Sequence, residues 1–577
     1  MKKLFLLAAV LAVGFAVMSC SSGDEVASNE NNSLENKFDA NGNAYVKIAI
    51  NMPASNGSTT RANEDYDHGS AAEYEVHDAV LLLFNGTSAN EGTATLISAN
   101  DMSNKVAMGG QTAFVSDRIL FTQQISKGDA NLTGGTGLLA FLVVNHNGKF
   151  EVADDHSLKI DGTSISGTFT FNQLKALTLD NVGSTSSGLL MTNSPMSSKP
   201  GKASDPTGGN ITYLTVIAAE DIYNSESDAY NGSKFVDIFV ERAAAKVNVT
   251  STASGELESN SSVTYTPANL KWSIENYNTN YYIERHISSS YLGSSSVNLT
   301  SANYRFVDSS PVATGFYRTY WAEDPNMTDA PDVDTSTGET QPETGSWNGL
   351  SSVQYIAENT VDANSMKQGY TTRVVLAVPF NNGVDFYTSS FTGADVIKST
   401  TDMAAATVAF IKTLSSYTTW KASNGSYDVT GVTFTSNAKG LASVASITTD
   451  GGTSTDAILT DVNAKAQFSY FKDGMAYYKV LIKHFGDNET PLAETVSGTG
   501  YNDIYGEEES DRIKNYLGRY GVVRNNWYNI NLQGIRHIGK PSVPVVTAGA
   551  PDDEIDAYLK VRINILSWGM RTQNVTL

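Results

Sequence analysis

Ala44-Tyr45-Val46-Lys47-Ile48-Ala49-Ile50-Asn51-Met52 alternates apolar and polar side chains with a period of two. Val46, Ile48, Ile50 and Met52 fall on one side and Tyr45, Lys47 and Asn51 on the other, the pattern of a β-strand with one buried face. The strand stands alone. Before it, from Ser21 to about Gly42, the chain is rich in Ser, Asn and Glu and too poor in apolar residues to form a core. After it, Pro53 to Thr60 is a second polar stretch, ending at Arg61-Ala62. An isolated strand over 44–52, between a tether and a loop ending in a basic residue, is therefore expected.

Downstream of Ala62 many short β-type runs follow, separated by Gly, Asn, Ser and Asp turns, which predicts an all-β chain of sandwiches with few short helices. Examples are Ala79 to Phe84 before Asn85-Gly86, Leu138 to Val144 before Asn145, Phe235 to Val240, Arg373 to Val378 and Tyr477 to Ile482. Helical spacing is confined to Asp395–Leu414 and, more briefly, Asp511–Tyr520. Glu241-Arg242-Ala243-Ala244-Ala245-Lys246-Val247 interrupts two alternating runs and marks a boundary between domains at 62–242 and 243–577. The last such run is Leu559, Val561, Ile563 and Ile565 alternating with Lys560, Arg562 and Asn564, followed by a kink at Trp568-Gly569 and then Val575 and Leu577.

Upstream of the first strand, Lys2-Lys3, an apolar run from Leu4 to Val17, and Val17-Met18-Ser19-Cys20 read as a signal peptide over 1–19 with a lipobox. That run is shorter than the ~20 residues needed to span a bilayer. Cys20 is the one cysteine in the chain, so it is the expected lipid-attachment residue, and intramolecular disulfides are excluded. The core must hold by packing, for which 577 residues at 40% hydrophobic content suffice. A net charge of −22 argues against nucleic acid as a partner.

Catalytic and metal-binding patterns are missing from the sequence, and no cofactor is implied. The histidines, His68, His77, His146, His156, His286, His484 and His537, show no paired-ligand spacing and read as surface or interdomain residues. Asp332 and Asp334, in the acidic stretch Asp329–Ser346, lack the rest of a calcium loop. The competing class is a monomeric surface lipoprotein that binds or hydrolyses glycans, with Trp272, Trp321, Trp347 and Trp420 as candidate sugar platforms. Aromatic residues at this frequency are more often β-core residues.

Several blocks, in order, resemble the type V fimbrillins of Bacteroidales, most closely shaft subunits of the minor-fimbria type. They are Arg61-Ala62, Glu241 to Val247, Leu270-Lys271-Trp272-Ser273 leading to Tyr281-Tyr282, and Arg524-Asn525-Asn526-Trp527-Tyr528-Asn529-Ile530-Asn531 continuing to Gly539. The resemblance implies two transthyretin-like β-sandwich domains. It also implies a precursor with a lipidated propeptide over 20–61, held at the outer membrane through Cys20 and cut between Arg61 and Ala62 by an Arg-specific protease. Polymerisation by strand exchange with copies of itself would follow, with anchor and tip subunits and surface receptors as further partners. The donor would be the segment Leu559–Leu577. Residues 1 to 61 hold equal numbers of basic and acidic side chains, so the cut leaves the net charge unchanged and acts by releasing a strand.

Overall fold

The computed structural model describes residues 37–51, 70–73, 75–106, 118–127, 137–200, 210–288, 306–313, 315–330, 347–437, 439–486, 490, 500–553, 560–562, 566–567 and 570–576, the last three stretches as backbone.

The N-terminal part contains one nine-stranded sheet. Its strands are β1 (Asn43–Asn51), β2 (Ala79–Gly86), β3 (Thr95–Asp101), β4 (Arg118–Ser126), β5 (Gly137–Val144), β6 (Met191–Asn193), β7 (Thr215–Ile217), β8 (Ile222–Tyr223) and β9 (Val236–Arg242). The path runs β8-β1-β9-β6-β5-β2-β3, with β4 on β1 and β7 on β5. The unbroken apolar run of β2 has a physical cause, because both faces of this strand are covered. Leu81 and Leu83 share a core with Ile48, Ile50 and Ile238, so the sheet curls over that core. Val80, Leu82 and Phe84 pack on the other face against Phe141, Phe171 and Leu174.

Only Ala243-Ala244 separates β9 from β10 (Ala245–Ser251), the first strand of the second sandwich. One sheet there combines β10 with β13 (Val353–Ile356), β16 (Asn526–Gly534), β17 (Lys560–Arg562), β18 (Leu566–Ser567) and β19 (Met570–Thr576). The facing sheet has the order β12-β11-β14-β15, made of β11 (Lys271–Glu275), β12 (Asn348–Gly349), β14 (Arg373–Pro379) and β15 (Met475–Leu481). Inner-face residues of both close one core, among them Val247, Val249, Ile530 and Leu532 from the first and Trp272, Leu376 and Val480 from the second.

Between β14 and β15 the chain builds a separate lobe with its own core, a five-stranded sheet covered by helices α1 (Thr400–Ile411), α2 (Ser415–Asn424) and α3 (Asp456–Ala466). The helix expected over Asp395–Leu414 is corrected at its start. Gly393–Lys398 is a strand, and the helix begins behind Ser399, whose side chain accepts a hydrogen bond from the Asp402 amide. The shorter Asp511–Tyr520 signal is a helix over Glu509–Asn515.

Candidate assembly site: the first strand and its neighbours

β1 lies inside the sheet. Along one side, from Asn43 opposite Ser126 to Asn51 opposite Arg118, it pairs antiparallel with β4 over its whole length. Along the other, Ile48 to Asn51 run parallel to Val236–Phe239 of β9, and Tyr45 and Val46 face Tyr223 and Ile222 of β8. β1 is the only ladder partner of β4 among the described residues. Taking β1 out would open a slot with unpaired backbone on both walls.

The alternation read from the sequence is realised in the packing. Val46, Ile48 and Ile50 are fully buried, against Ile119, Phe121, Ile125, Ile222, Val236 and Ile238. At roughly 1.5–3 kcal/mol per side chain, these three contribute an upper figure of about 5–9 kcal/mol. Lys47 points outward and donates to the Tyr230 and Gly232 carbonyls at 3.0 and 3.1 Å. Asn51 donates to the Asp237 carboxylate at 2.8 Å. Met52, Arg61, Ala62 and Cys20 lie outside the described residues.

The other end of the expected exchange lies on its own domain. β19 runs parallel to β16, from Met570 opposite Trp527 to Val575 opposite Leu532. β17 doubles back on β19, with Val561 opposite Val575. Leu559, Ile563, Ile565 and Leu577 fall outside the described residues, as does the kink at Trp568-Gly569. β19 thus stands to β16 as β1 stands to β9, parallel and adjacent.

Two blocks singled out in the sequence prove to be partners. Lys246 to Ser251 of β10 run parallel to Trp527 to Leu532 of β16. Trp527 donates its indole N–H to Asn248 at 2.7 Å, and Thr250 donates to Asn529 at 3.0 Å. Buried charges with no local sequence signature pin this junction. The Glu73 carboxylate, just upstream of β2, takes a 2.8 Å ion pair from Lys246 and a short hydrogen bond from the Tyr355 hydroxyl, while its carbonyl accepts from Arg242 Nε at 3.0 Å. Its carboxyl is held below the ordinary range, because those donors and the Ser70 amide outweigh desolvation, the largest single effect. Arg285 pairs with Glu241 at 2.9 Å and Arg524 with Glu358 at 2.5 Å, all four side chains buried. Beside them the carboxyl of Glu284 is fully buried and raised well above its usual range by desolvation and then by Glu241.

The candidate sugar platform does not form on the surface. Trp272 and Trp321 are fully buried and Trp420 nearly so, the first donating to the Gly349 carbonyl at 2.8 Å. Trp347 is half-buried, with its ring 6.1 Å from that of Tyr477. His484, expected at a surface or between domains, is instead in the core, 2.7 Å from the Tyr528 hydroxyl. His286 sits between the two parts of the chain, stacked on Tyr282 with Nε2 2.7 Å from the Lys175 carbonyl. Among the described residues no cluster of three His, Cys, Asp or Glu side chains has the geometry to hold a metal ion, and none of the helices there is long and apolar enough to cross a membrane. Asp332 and Asp334 lie outside the described residues.

Fold and site together define a two-part, all-β protein whose first strand is the centre of a ladder. Residues 469–574 match the family described as major fimbrial subunit protein type IV, fimbrillin, C-terminal. This stretch is similar to the C-terminal region of fimbrillins, in line with the fimbrillin resemblance of the sequence blocks. Similar solved structures include a fimbrilin from Porphyromonas gingivalis W83, at 14% identity over 92% of this chain and 96% of that one, with a TM-score of 0.34. Others are a putative cell adhesion protein from Bacteroides eggerthii DSM 20697, at 11% identity over 92% and 97% with a TM-score of 0.31, and the C-terminally truncated tip fimbrial protein Mfa3 from Porphyromonas gingivalis, at 11% over 59% and 79% with a TM-score of 0.25. No curated protein matches the chain significantly.

Proposed function

We propose that the chain is the polymerising shaft subunit of a fimbria, made as a precursor lipidated at Cys20, cut after Arg61, and joined to the next copy by a strand that takes the place of β1. One observation carries this reading: β1 is a central strand, attached at its C-terminal end through a segment containing a single Arg, and its loss strips β4 of its ladder. A vacated slot with an apolar floor and two walls of open backbone groups accepts an alternating strand in one register. Leu559–Leu577 is the donor, and the parallel seat of its strand β19 on β16 suits that strand to run parallel to β9. Domains at 62–242 and 243–577 carry these two halves of the joint. Copies of the same chain are the main partners, with an Arg-specific protease, an anchor and a tip subunit completing the assembly.

The test is to treat purified precursor with an Arg-specific protease and run the product unboiled on a denaturing gel, with N-terminal sequencing in parallel. A ladder whose chains begin at Ala62 is expected, with none from Arg61→Ala. Ile563→Asp should be cut normally yet fail to elongate, since it places an unpaired charge on the apolar side of the donor. Polymer from uncut Arg61→Ala would overturn the cleavage trigger, and normal fibres from Ile563→Asp would move the donor elsewhere.

A further inference from the structure

Between β16 and β17 the chain crosses the surface of the second domain from Pro541 to Asp553 without regular secondary structure, yet it ends in two buried carboxylates. Asp552 and Asp553 are 3% and 6% exposed. Side chains from three separate segments converge on them. Thr371, just before β14, donates to Asp552 at 3.1 Å, and the Tyr505 hydroxyl donates to the other oxygen of the same carboxylate. The Asp553 amide donates back to the Tyr505 oxygen at 2.9 Å. Arg519 Nε and the Tyr520 hydroxyl reach Asp553 at 3.0 and 2.9 Å.

The backbone leading in is fastened as well. Gly369 donates to the Ala548 carbonyl at 3.0 Å and Gln368 to that of Ala550 at 2.9 Å. A Cβ on Gly369 would lie 2.8 Å from Ala548, so glycine is what lets the two segments touch. Burying adjacent carboxylates is unfavourable unless every one is paired, and a fully paired network of this kind fixes position.

We infer that Asp552 and Asp553 are the fixed post of the terminal arm: the chain stays locked to its own domain as far as Asp553, and only residues beyond it leave to enter a neighbouring copy. This rests on the strand-exchange reading, and it makes both residues positioning residues for assembly. The post sets where the arm departs and hence how far the next copy lies along the fibre.

The experiment compares hydrogen exchange in the uncut full chain and in the polymer, alongside the axial repeat by electron microscopy. In the wild type, amides of 366–371 and 548–553 should keep their protection within about twofold on polymerisation, while those of 526–534 change by tenfold or more. The paired variant Asp552→Asn with Asp553→Asn should retain its circular dichroism and its cut at Arg61. It should exchange roughly tenfold faster at Gln368 and Gly369 and elongate about tenfold more slowly or with an irregular repeat. Tyr505→Phe, which keeps both carboxylates, should shift the same readings less, and it supplies the answer if the double variant does not fold. Loss of protection at 548–553 in wild-type polymer, or wild-type elongation by a variant whose post has opened, would overturn the inference. Failure of the wild type itself to polymerise would sink strand exchange and this inference with it, and the wild-type control separates the two failures.

Discussion

β1 and β10 occupy the same place in two sandwiches. Each has an antiparallel neighbour on one side, β4 or β13, and on the other a parallel neighbour late in its own sheet, β9 or β16. Their attachments differ. β10 follows β9 after two residues and is riveted by Lys246 to Glu73, by Asn248 to Trp527 and by Thr250 to Asn529. β1 has polar ties at Asn43, Lys47 and Asn51, none of them a buried ion pair, and otherwise its ladder and apolar side chains hold it. On the strand-exchange reading, what separates the two strands is therefore their fastening, since the hydrogen-bond pattern is shared.

The largest test of that contrast places a charge in each strand. Val247→Asp should prevent folding of precursor and cut protein alike, a loss of several kcal/mol with no donor to replace the strand. Ile48→Asp should weaken only the uncut chain, leaving fibres normal, because β1 is absent from them; denaturant titration before and after cleavage reads both. If Ile48→Asp crippled assembled fibres, β1 would be part of the mature joint and the contrast would fall.

Glu73→Ala should come next. It leaves Lys246 buried without its carboxylate and is expected to cost about 3–5 kcal/mol, seen as a lower unfolding midpoint in both cut and uncut forms. Unchanged stability would show that the Lys246–Glu73 pair does not fasten β10.

A pH effect of the first sandwich is smaller. Glu91, buried near β3, accepts from the Tyr213 and Leu214 amides, yet burial pushes its carboxyl up to about 7. Its folded pKa lies above its unfolded value, so the favourable contribution is complete below about 4.5 and is lost as pH rises towards 7. The protein should lose on the order of 3 kcal/mol of stability over that window from this group, and Glu91→Gln should flatten that part of the curve of unfolding midpoint against pH. Smallest of all, Lys47→Ala removes an outward tie of β1 and should change precursor stability by about 1 kcal/mol or less. A larger loss in thermal unfolding would mean that β1 is fastened more firmly than its packing indicates.

Much of this comparison was legible in the sequence. Alternation at Val46, Ile48 and Ile50 gave the buried face of β1, because side-chain period reports directly on burial, and the run Ala79 to Phe84 was read as a strand, though not as one covered on both faces. The blocks Glu241–Val247 and Arg524–Asn531 stood out separately, but parallel pairing joins strands far apart in the chain and leaves no turn between them to read. The ion pairs of Glu73, Arg285, Glu358 and Arg524 were missed for the same reason, as each has its partner across a sheet or a domain boundary. The inserted lobe was half visible. Helical spacing at Met403, Val408 and Ile411 marked α1, whereas Ile458, Val462 and Ala466 on one face of α3 went unread, and α2, built largely from Ser, Thr, Tyr and Asn, owes its helix to Tyr417 and Trp420 packing inward.

The placement of β1 between β4 and β9 bears also on force. Ladder hydrogen bonds lie across the strand direction, so tension along a strand seated there strains all of them in shear at once and cannot peel them one by one from an end. A strand at the rim of the sheet would meet the same load with a ladder on one side only. A fibre joined through this slot would have its mechanical strength set by the length of the β4 ladder, nine residues from Arg118 to Ser126, and shortening that ladder should lower its rupture force while leaving each subunit's own fold in place.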